Sequence, residues 1–282
     1  MDEDRMSATA VIDDYRRHME RKGLRPRSIK KMLDVVSLFR RHIAPRAVLE
    51  ATETDIESFV DCRQLAPRTR YMYLSTLHGL FEWAVIYGLL ERDPTMRVVR
   101  PRLPRAVPHP IQDDDLRTLL AAADPRAAAM IALAAFHGLR AQEVAGVQRS
   151  DILDRNTPAV LTVVAGKGGH QRVVPLHAGG WALIEPVVPR RGYLFTDPAG
   201  RPLAPWAVSH VINGLLCDLG IDSTCHSLRH WYGTNVYRVS RDLRVTQVLM
   251  GHASPNTTAG YIQFSSEDAH IAVAGIGLGR AQ

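Results

Sequence analysis

Between Asp93 and Gln112, five prolines (Pro94, Pro101, Pro104, Pro108, Pro110) alternate with four arginines (Arg97, Arg100, Arg102, Arg105). Proline fixes its own φ and removes a backbone donor, so neither a helix nor a strand ladder runs through such a stretch. The chain there is extended and semi-rigid. A length of 282 residues suits two domains better than one. The proline segment therefore predicts a helical domain over 1–92, a linker over 93–110 and a second domain over 111–282.

The first part reads as four helices. Val11, Ile12, Tyr15 and Met19 recur near the 3.6-residue period within 7–22. Pro26 opens a second helix through about His42, with Ile29, Leu33, Val36 and Phe39 inward. Thr52 and Asp55 form a capping box for a short third helix. Pro67 opens the fourth, with Tyr71, Leu74, Leu77, Leu80, Phe81 and Ala84 as its core stripe and Gly88 as its stop. Arg25, Arg27, Lys30 and Lys31 gather at the start of the second helix, and Arg68, Thr69 and Arg70 at the start of the fourth. Helix N-termini attract phosphate through their free N–H groups, so both clusters are candidate anion contacts. A merely solvated charged face is the alternative.

In the second part, Asp113-Asp114-Asp115 starts one helix, and an Ala-, Ile-, Leu- and Met-rich helix over 126–137 is apolar on every side, hence buried. Gly138 stops it, and Arg140 begins the next short helix. Val160, Thr162 and Val164 then alternate, Gly166-Lys167-Gly168-Gly169 is a turn, and Arg172-Val173-Val174-Pro175 returns. That predicts a β-hairpin with Lys167 at its tip. Helices resume around 204–219, 226–240, 242–250 and 255–263, before an apolar, glycine-rich tail from Ile271 to Leu278. The expected fold is mainly α with a small sheet in the second domain.

Charge points to a polyanion partner. The net charge is +6; residues 1–105 hold 20 Lys/Arg against 15 Asp/Glu, and the rest 15 against 14. Neutralising phosphates releases condensed counterions, which favours binding by such a region. Three scattered cysteines (Cys62, Cys217, Cys225) make neither a disulfide framework nor a metal spacing, which fits a reducing compartment. No apolar run approaches the roughly 18 residues of a membrane span. The acidic start, Met1-Asp2-Glu3-Asp4, is unlike a signal peptide, so the expectation is a cytoplasmic protein.

The chemistry-bearing residues come in a fixed order: His137-Gly138-Leu139-Arg140, Lys167, His226-Ser227-Leu228-Arg229-His230, Gly251-His252, and Thr257-Thr258-Ala259-Gly260-Tyr261. Two arginines offer permanently charged forks for phosphate oxygens. Histidines move protons near neutrality, and a tyrosine can be a covalent nucleophile. In this order and at these gaps the set resembles the tyrosine recombinase, or phage-integrase, family. The resemblance covers roughly residues 7–275 and is carried by an Arg after Gly-Leu, a hairpin Lys, H-x-L-R-H, Gly-His, and a Tyr nine residues on. His137 departs mildly, standing where a small polar residue is more usual.

The resemblance implies a two-domain enzyme that cuts duplex DNA through a 3′-phosphotyrosyl link, with no metal or cofactor. Arg140, Lys167, His226, Arg229, His252 and Tyr261 would be catalytic, with His230 and Glu143 as secondary members of the site. Glu143, three residues after Arg140, is equally a plain ion-pair partner for it. His226 and His230 share a helix face, but Ser227 stands where the zinc-protease motif needs Glu. The basic clusters, together with Arg100, Arg102 and Arg105, would contact DNA. Four protomers would assemble on two attachment sites, the tail docking on a neighbour, with a directionality factor or a host DNA-bending protein as possible partners. An integrase of a phage or mobile element leads, and a Xer-type resolution enzyme is its closest rival. A type IB topoisomerase would share the catalytic residues, and a DNA-binding regulator with a decayed site is the alternative from another class. Helical sequence begins near Ser7, so no separate arm-binding module is expected, and short, simple sites would suffice.

Overall fold

The computed structural model describes residues 8–103, 108–156, 159–164 and 171–251. Arg105, Lys167, His252, Tyr261, the expected helix over 255–263 and the apolar tail lie outside the described residues. The chain divides into two compact units, Met1–Arg105 and Ala106–Gln282.

Among the described residues the first unit contains four α-helices: α1 (Ala8–Arg21), α2 (Pro26–Ile43), α3 (Glu53–Asp61) and α4 (Pro67–Ile86). Helices α2 and α4 both start with proline in the first turn, where its missing N–H costs nothing. Thr52 caps α3 by accepting from Asp55 N, while Asp55 accepts from Thr52 N at 2.9 Å. Gly88, at φ +71°, ends α4 in a Schellman turn: Leu89 N–H returns to Ala84 O and Gly88 N–H to Val85 O. Helix α2 packs on α1, α3 and α4. At the centre, Phe39 meets Phe59 and Phe81 edge-on, with ring centroids 5.1 and 6.2 Å apart.

Two details differ from the sequence expectation. Tyr71 is 40% exposed rather than part of the core stripe. Tyr73 lies inward instead, stacked on Phe59 at 5.7 Å. The proline-rich segment also begins as part of this unit. Asp93 binds His78 Nδ1 and Thr95 N at 2.7 Å each, and Val98 is buried in the core.

The second unit contains α5 (Asp113–Ala122), α6 (Pro125–Ala135), α7 (Ala141–Gly146), strands β1 (Ile152–Leu153), β2 (Val160–Val164) and β3 (Gln171–Pro175), then α8 (Ala178–Ile184), α9 (Pro205–Asp218), α10 (Cys225–Ser240) and α11 (Leu243–Met250). The antiparallel sheet runs β1-β2-β3, with Leu161 opposite Val174 and Val163 opposite Arg172. Helix α8 was not legible in the sequence; Gly179 and Gly180 are poor helix formers. Among the described helices none is long and apolar enough to cross a membrane.

Helix α6 is the hub of this unit. Residues Ala127 through Ala135 are all buried, and α7, α8, α9 and α10 pack around them. Alanines at the contact let neighbouring helices come close. His137, just past its end, is fully buried; its Nδ1 donates to Ala132 O and its Nε2 accepts from His177 N, each at 3.1 Å. Burial lowers its pKa to about 4, so it is a neutral strut between α6 and α8. Gly138 follows at φ +66°, its α-carbon pressed against the Tyr232 ring of α10. This tight corner aims Arg140 out of the core.

A Cβ at Gly138 would sit 2.3 Å from Tyr232 Cδ1 in a left-handed backbone conformation. Gly138→Ala is therefore expected to destabilise the protein by roughly 2–5 kcal/mol, from strain plus overpacking. Gly192→Ala, at φ +83° but facing open space, should cost only the backbone strain, about 1–2 kcal/mol. Urea denaturation of both variants checks the difference; equal losses would count against the packing argument.

Candidate active site

Arg140 is the residue before α7, and Glu143 sits in that helix's first turn. The Glu143 carboxylate reaches back to Arg140 N at 2.8 Å and accepts from Arg140 Nη1 at 2.9 Å. Its side chain is 1% exposed. Strand β3 sends Arg172 to the same carboxylate, in a two-pronged pair with both contacts at 2.9 Å. From α10, Arg229 Nη1 comes within 3.8 Å of Glu143 Oε2. One buried carboxylate thus faces three guanidinium groups from three separate elements.

The same arginines close the end of α11. Arg172 Nε donates to Leu249 O at 2.9 Å, Arg229 Nη2 to Met250 O, and Arg140 Nη2 to Gly251 O at 3.2 Å. These are carbonyls that a helix leaves unpaired at its C-terminus, where its dipole also favours cations. Gly251, at φ +59°, makes room: a Cβ there would lie 2.9 Å from Arg172 Nη1. Arg229 further donates to Gly138 O, which joins α10 to the corner that aims Arg140.

The arginines differ in exposure. Arg140 keeps 32% of its side chain in solvent, whereas Arg172 and Arg229 keep 6% and 2%. His226 and His230, one helical turn apart on α10, meet edge-to-face with centroids 4.5 Å apart. Packing lowers the His226 pKa, and the charges of Arg229 and Arg140 lower it further. For His230, burial first and then His226, Arg229 and His109 bring it down to about 4. Both rings are therefore neutral at pH 7. Among the described residues no group of three or more His, Cys, Asp or Glu side chains has a metal-binding arrangement.

The structure thus brings together Arg140, Glu143, His226, Arg229 and His230. Arg172 was missed by the sequence reading. Its clue was the strand register: residues opposite the buried Val163 and Leu161 face inward, and these are Arg172 and Val174. In the first unit Arg25, Arg27, Lys30 and Lys31 are exposed around the start of α2, which has no side-chain cap. Arg68 is exposed at the start of α4, Thr69 is half-buried, and Arg70 is paired with Asp61. Arg100 and Arg102 are exposed.

Burial works to raise the Glu143 pKa, but the hydrogen bond and charge of Arg172, followed by those of Arg140, outweigh it and hold the group at about 2. A folded-state pKa below the ordinary 4.5 means that the carboxylate stabilises the fold fully above that pH. The contribution disappears as pH falls from about 4.5 through about 2. Glu143→Gln should cost about 3–5 kcal/mol at pH 7, since it leaves buried arginines unneutralised. It should also lose less stability than wild type across that acid window. Thermal melting from pH 7 to 2 tests both, and a variant as stable as wild type at pH 7 would refute the hub.

Comparison with known proteins bears on the family of the chain. The family model described as "Phage integrase family" matches residues 110–268. A tyrosine recombinase XerC of Myxococcus xanthus is 27% identical, over 93% of this chain and 95% of that protein. A tyrosine recombinase XerD of Caulobacter vibrioides is 30% identical, over 85% and 84%. In fold, a lambda integrase (75–356) dimer bound to a core site superposes with a TM-score of 0.76 at 16% identity, over 93% and 98%. The motif order, the paired arginines and the family match lead to one conclusion: the chain belongs to the phage integrase family and is a tyrosine recombinase, an enzyme that cuts and rejoins DNA strands.

Proposed function

We propose that this chain is a site-specific recombinase that exchanges duplex DNA strands through a 3′-phosphotyrosyl intermediate. The supporting observation is the Arg140–Glu143–Arg229 cluster with the neutral His226 beside it. Three guanidinium groups against one carboxylate leave two positive charges at the site. A phosphodiester carries one negative charge and gains a second in the transition state, so a positive surplus stabilises the transition state more than the substrate. Arg140, the most open of the three, meets the phosphate directly. Arg229 adds its charge from an enclosed position, and His252 and His230 contribute hydrogen bonds.

In this mechanism the Tyr261 oxygen forms a bond to phosphorus and its proton passes to His226. The bond from phosphorus to the 5′ oxygen breaks, and Lys167 supplies the proton that oxygen needs. The phosphotyrosine conserves the bond energy, so a 5′ hydroxyl from a second duplex reseals the strand by the reverse steps. Tyr232, a second tyrosine near the arginines, is ill suited to attack: burial raises its pKa to about 12. Residues around the starts of α2 and α4, with Arg100 and Arg102, would hold the DNA backbone, and four protomers would act on two sites.

The cellular role has two readings. Integration of a mobile DNA follows from the family resemblance. Resolution of the Xer type is favoured by the near end-to-end similarity to XerC and XerD proteins. A plasmid assay separates them: a resolution enzyme recombines two identical sites, whereas an integrase requires two different ones.

Tyr261→Phe is expected to abolish covalent attachment to a nicked suicide duplex while leaving DNA binding intact; any adduct formed by this variant would refute the assignment. Arg140→Ala should slow cleavage by roughly two to three orders of magnitude. Because the folded-state pKa of His226 lies below the ordinary 6.5, its neutral form persists as pH falls through that value. At subsaturating DNA, where the groups of the free enzyme govern the profile, the acid limb of kcat/KM should accordingly lie below pH 6.5, and a value already half lost at pH 7 would exclude His226 as the base.

A further inference from the structure

The proline-rich segment ends against the helix that carries His226 and His230. Ile111 N–H donates to Ser227 O at 3.3 Å, and the Ile111 side chain is buried in the core of the second unit. Two residues on, Asp113 Oδ1 accepts from Trp231 Nε1 at 2.6 Å. The Trp231 ring in turn stands edge-on to Phe136, with centroids 5.6 Å apart. The chain is thus fixed beside α10 at Ser227 and again at Trp231, one turn along. His109 lies two residues before the first of these contacts, between Pro108 and Pro110. Pro108 has a fixed φ, and Pro110 confines His109 to extended backbone. Two residues span at most about 7 Å, so His109 stays near the start of α10. It is exposed, and its charge is felt at His230, where it follows burial, His226 and Arg229 among the causes that lower the pKa of that ring.

We infer that His109 is a substrate-contacting residue: it donates a hydrogen bond to the DNA backbone phosphate next to the scissile one. The inference rests on the proposed placement of the scissile phosphate at Arg140 and His226. His230 is four residues from His226, about 6 Å along α10. Phosphates of one DNA strand follow each other about every 3.4 Å along the duplex axis. A donor on the His230 side of the site is therefore offset from the scissile phosphate by the spacing of a near neighbour on the strand. An exposed imidazole N–H suits a phosphate oxygen, as do the other polar side chains that position proteins on DNA. A segment already held at Ile111 and Asp113 also loses little freedom on making such a bond. A histidine that only propped α10 would matter equally whichever phosphate was altered.

The test is a double-mutant cycle between His109→Ala and a set of nicked suicide duplexes. In each duplex one phosphate, the scissile one or one of its neighbours on either side, is a neutral methylphosphonate. Cleavage is measured at subsaturating DNA. On the unmodified duplex His109→Ala should be roughly 10- to 100-fold slower than wild type, the scale of a hydrogen bond to a charged group. With the methylphosphonate at one of the two positions flanking the scissile phosphate, that difference should largely disappear; at every other position it should persist. A variant as fast as wild type on the unmodified duplex overturns the inference. So does a difference that persists at both flanking positions, or one that disappears only elsewhere. Arg140→Ala is the control: its defect should shrink when the scissile phosphate itself is neutral, since there is then less charge to stabilise. If it does not shrink, the proposed placement of the scissile phosphate fails and takes the inference with it. If it shrinks while His109→Ala shows no coupling to a flanking phosphate, the inference fails alone.

Discussion

The second unit is organised around one carboxylate. Glu143 is enclosed, and its two oxygens receive Arg172 and Arg140, with Arg229 close behind. A buried charge without partners costs several kcal/mol, so the enclosed Glu143, Arg172 and Arg229 are not tolerable alone. Together they join α7, β3 and α10, and their remaining donors fix three successive carbonyls at the end of α11. The arrangement makes the fold and the site inseparable. The contacts that satisfy the arginines in the interior also leave Arg140 partly open, where the proposed mechanism has it meet a phosphate.

The rest of the unit explains how so polar a centre sits against a core. Helix α6 is lined with alanine, so α8, α9 and α10 approach it closely and form a stiff frame. The frame turns at His137 and Gly138. A neutral imidazole satisfies a helix carbonyl and a distant N–H, while a glycine allows Tyr232 to pack against bare backbone. His137 departs from the usual pattern of the resemblance without disturbing this corner, because either ring nitrogen finds a partner.

Sequence patterns foresaw most of the helices because their ends are chemically marked. Pro26, Pro67, Thr52 and Gly88 each act within a few residues, and local rules apply to them. Arg140, Arg229 and His226 were legible from their order and spacing, and the structure gathers them on neighbouring elements. What the sequence hid is non-local. Tyr71 and Tyr73 both fit an apolar face, and only the position of Phe59 decides between them. In β3 two adjacent valines leave the inward parity ambiguous, and a buried arginine runs against the usual rule for such a strand. Arg172 is inward because Glu143 awaits it from another element, which no local window reveals. Lys167, His252 and Tyr261 are known only as a sequence pattern, and their roles rest on it.

The positive surplus at the cluster also bears on proton transfer. A histidine that serves as a base must be neutral when the phosphate arrives. His226 is kept so by packing and by the charges of Arg229 and Arg140, groups that would stabilise the transition state. His230, next along the helix, is depressed further, with His226 itself among the causes. In the proposed mechanism, clamp and base would therefore be coupled through one field. In that mechanism a bound phosphate would partly cancel the arginine charge and so raise the affinity of the imidazole for a proton when the tyrosine gives one up. On the proposed mechanism, proton acceptance by His226 with DNA in place would thus be favoured over its protonation in the free enzyme.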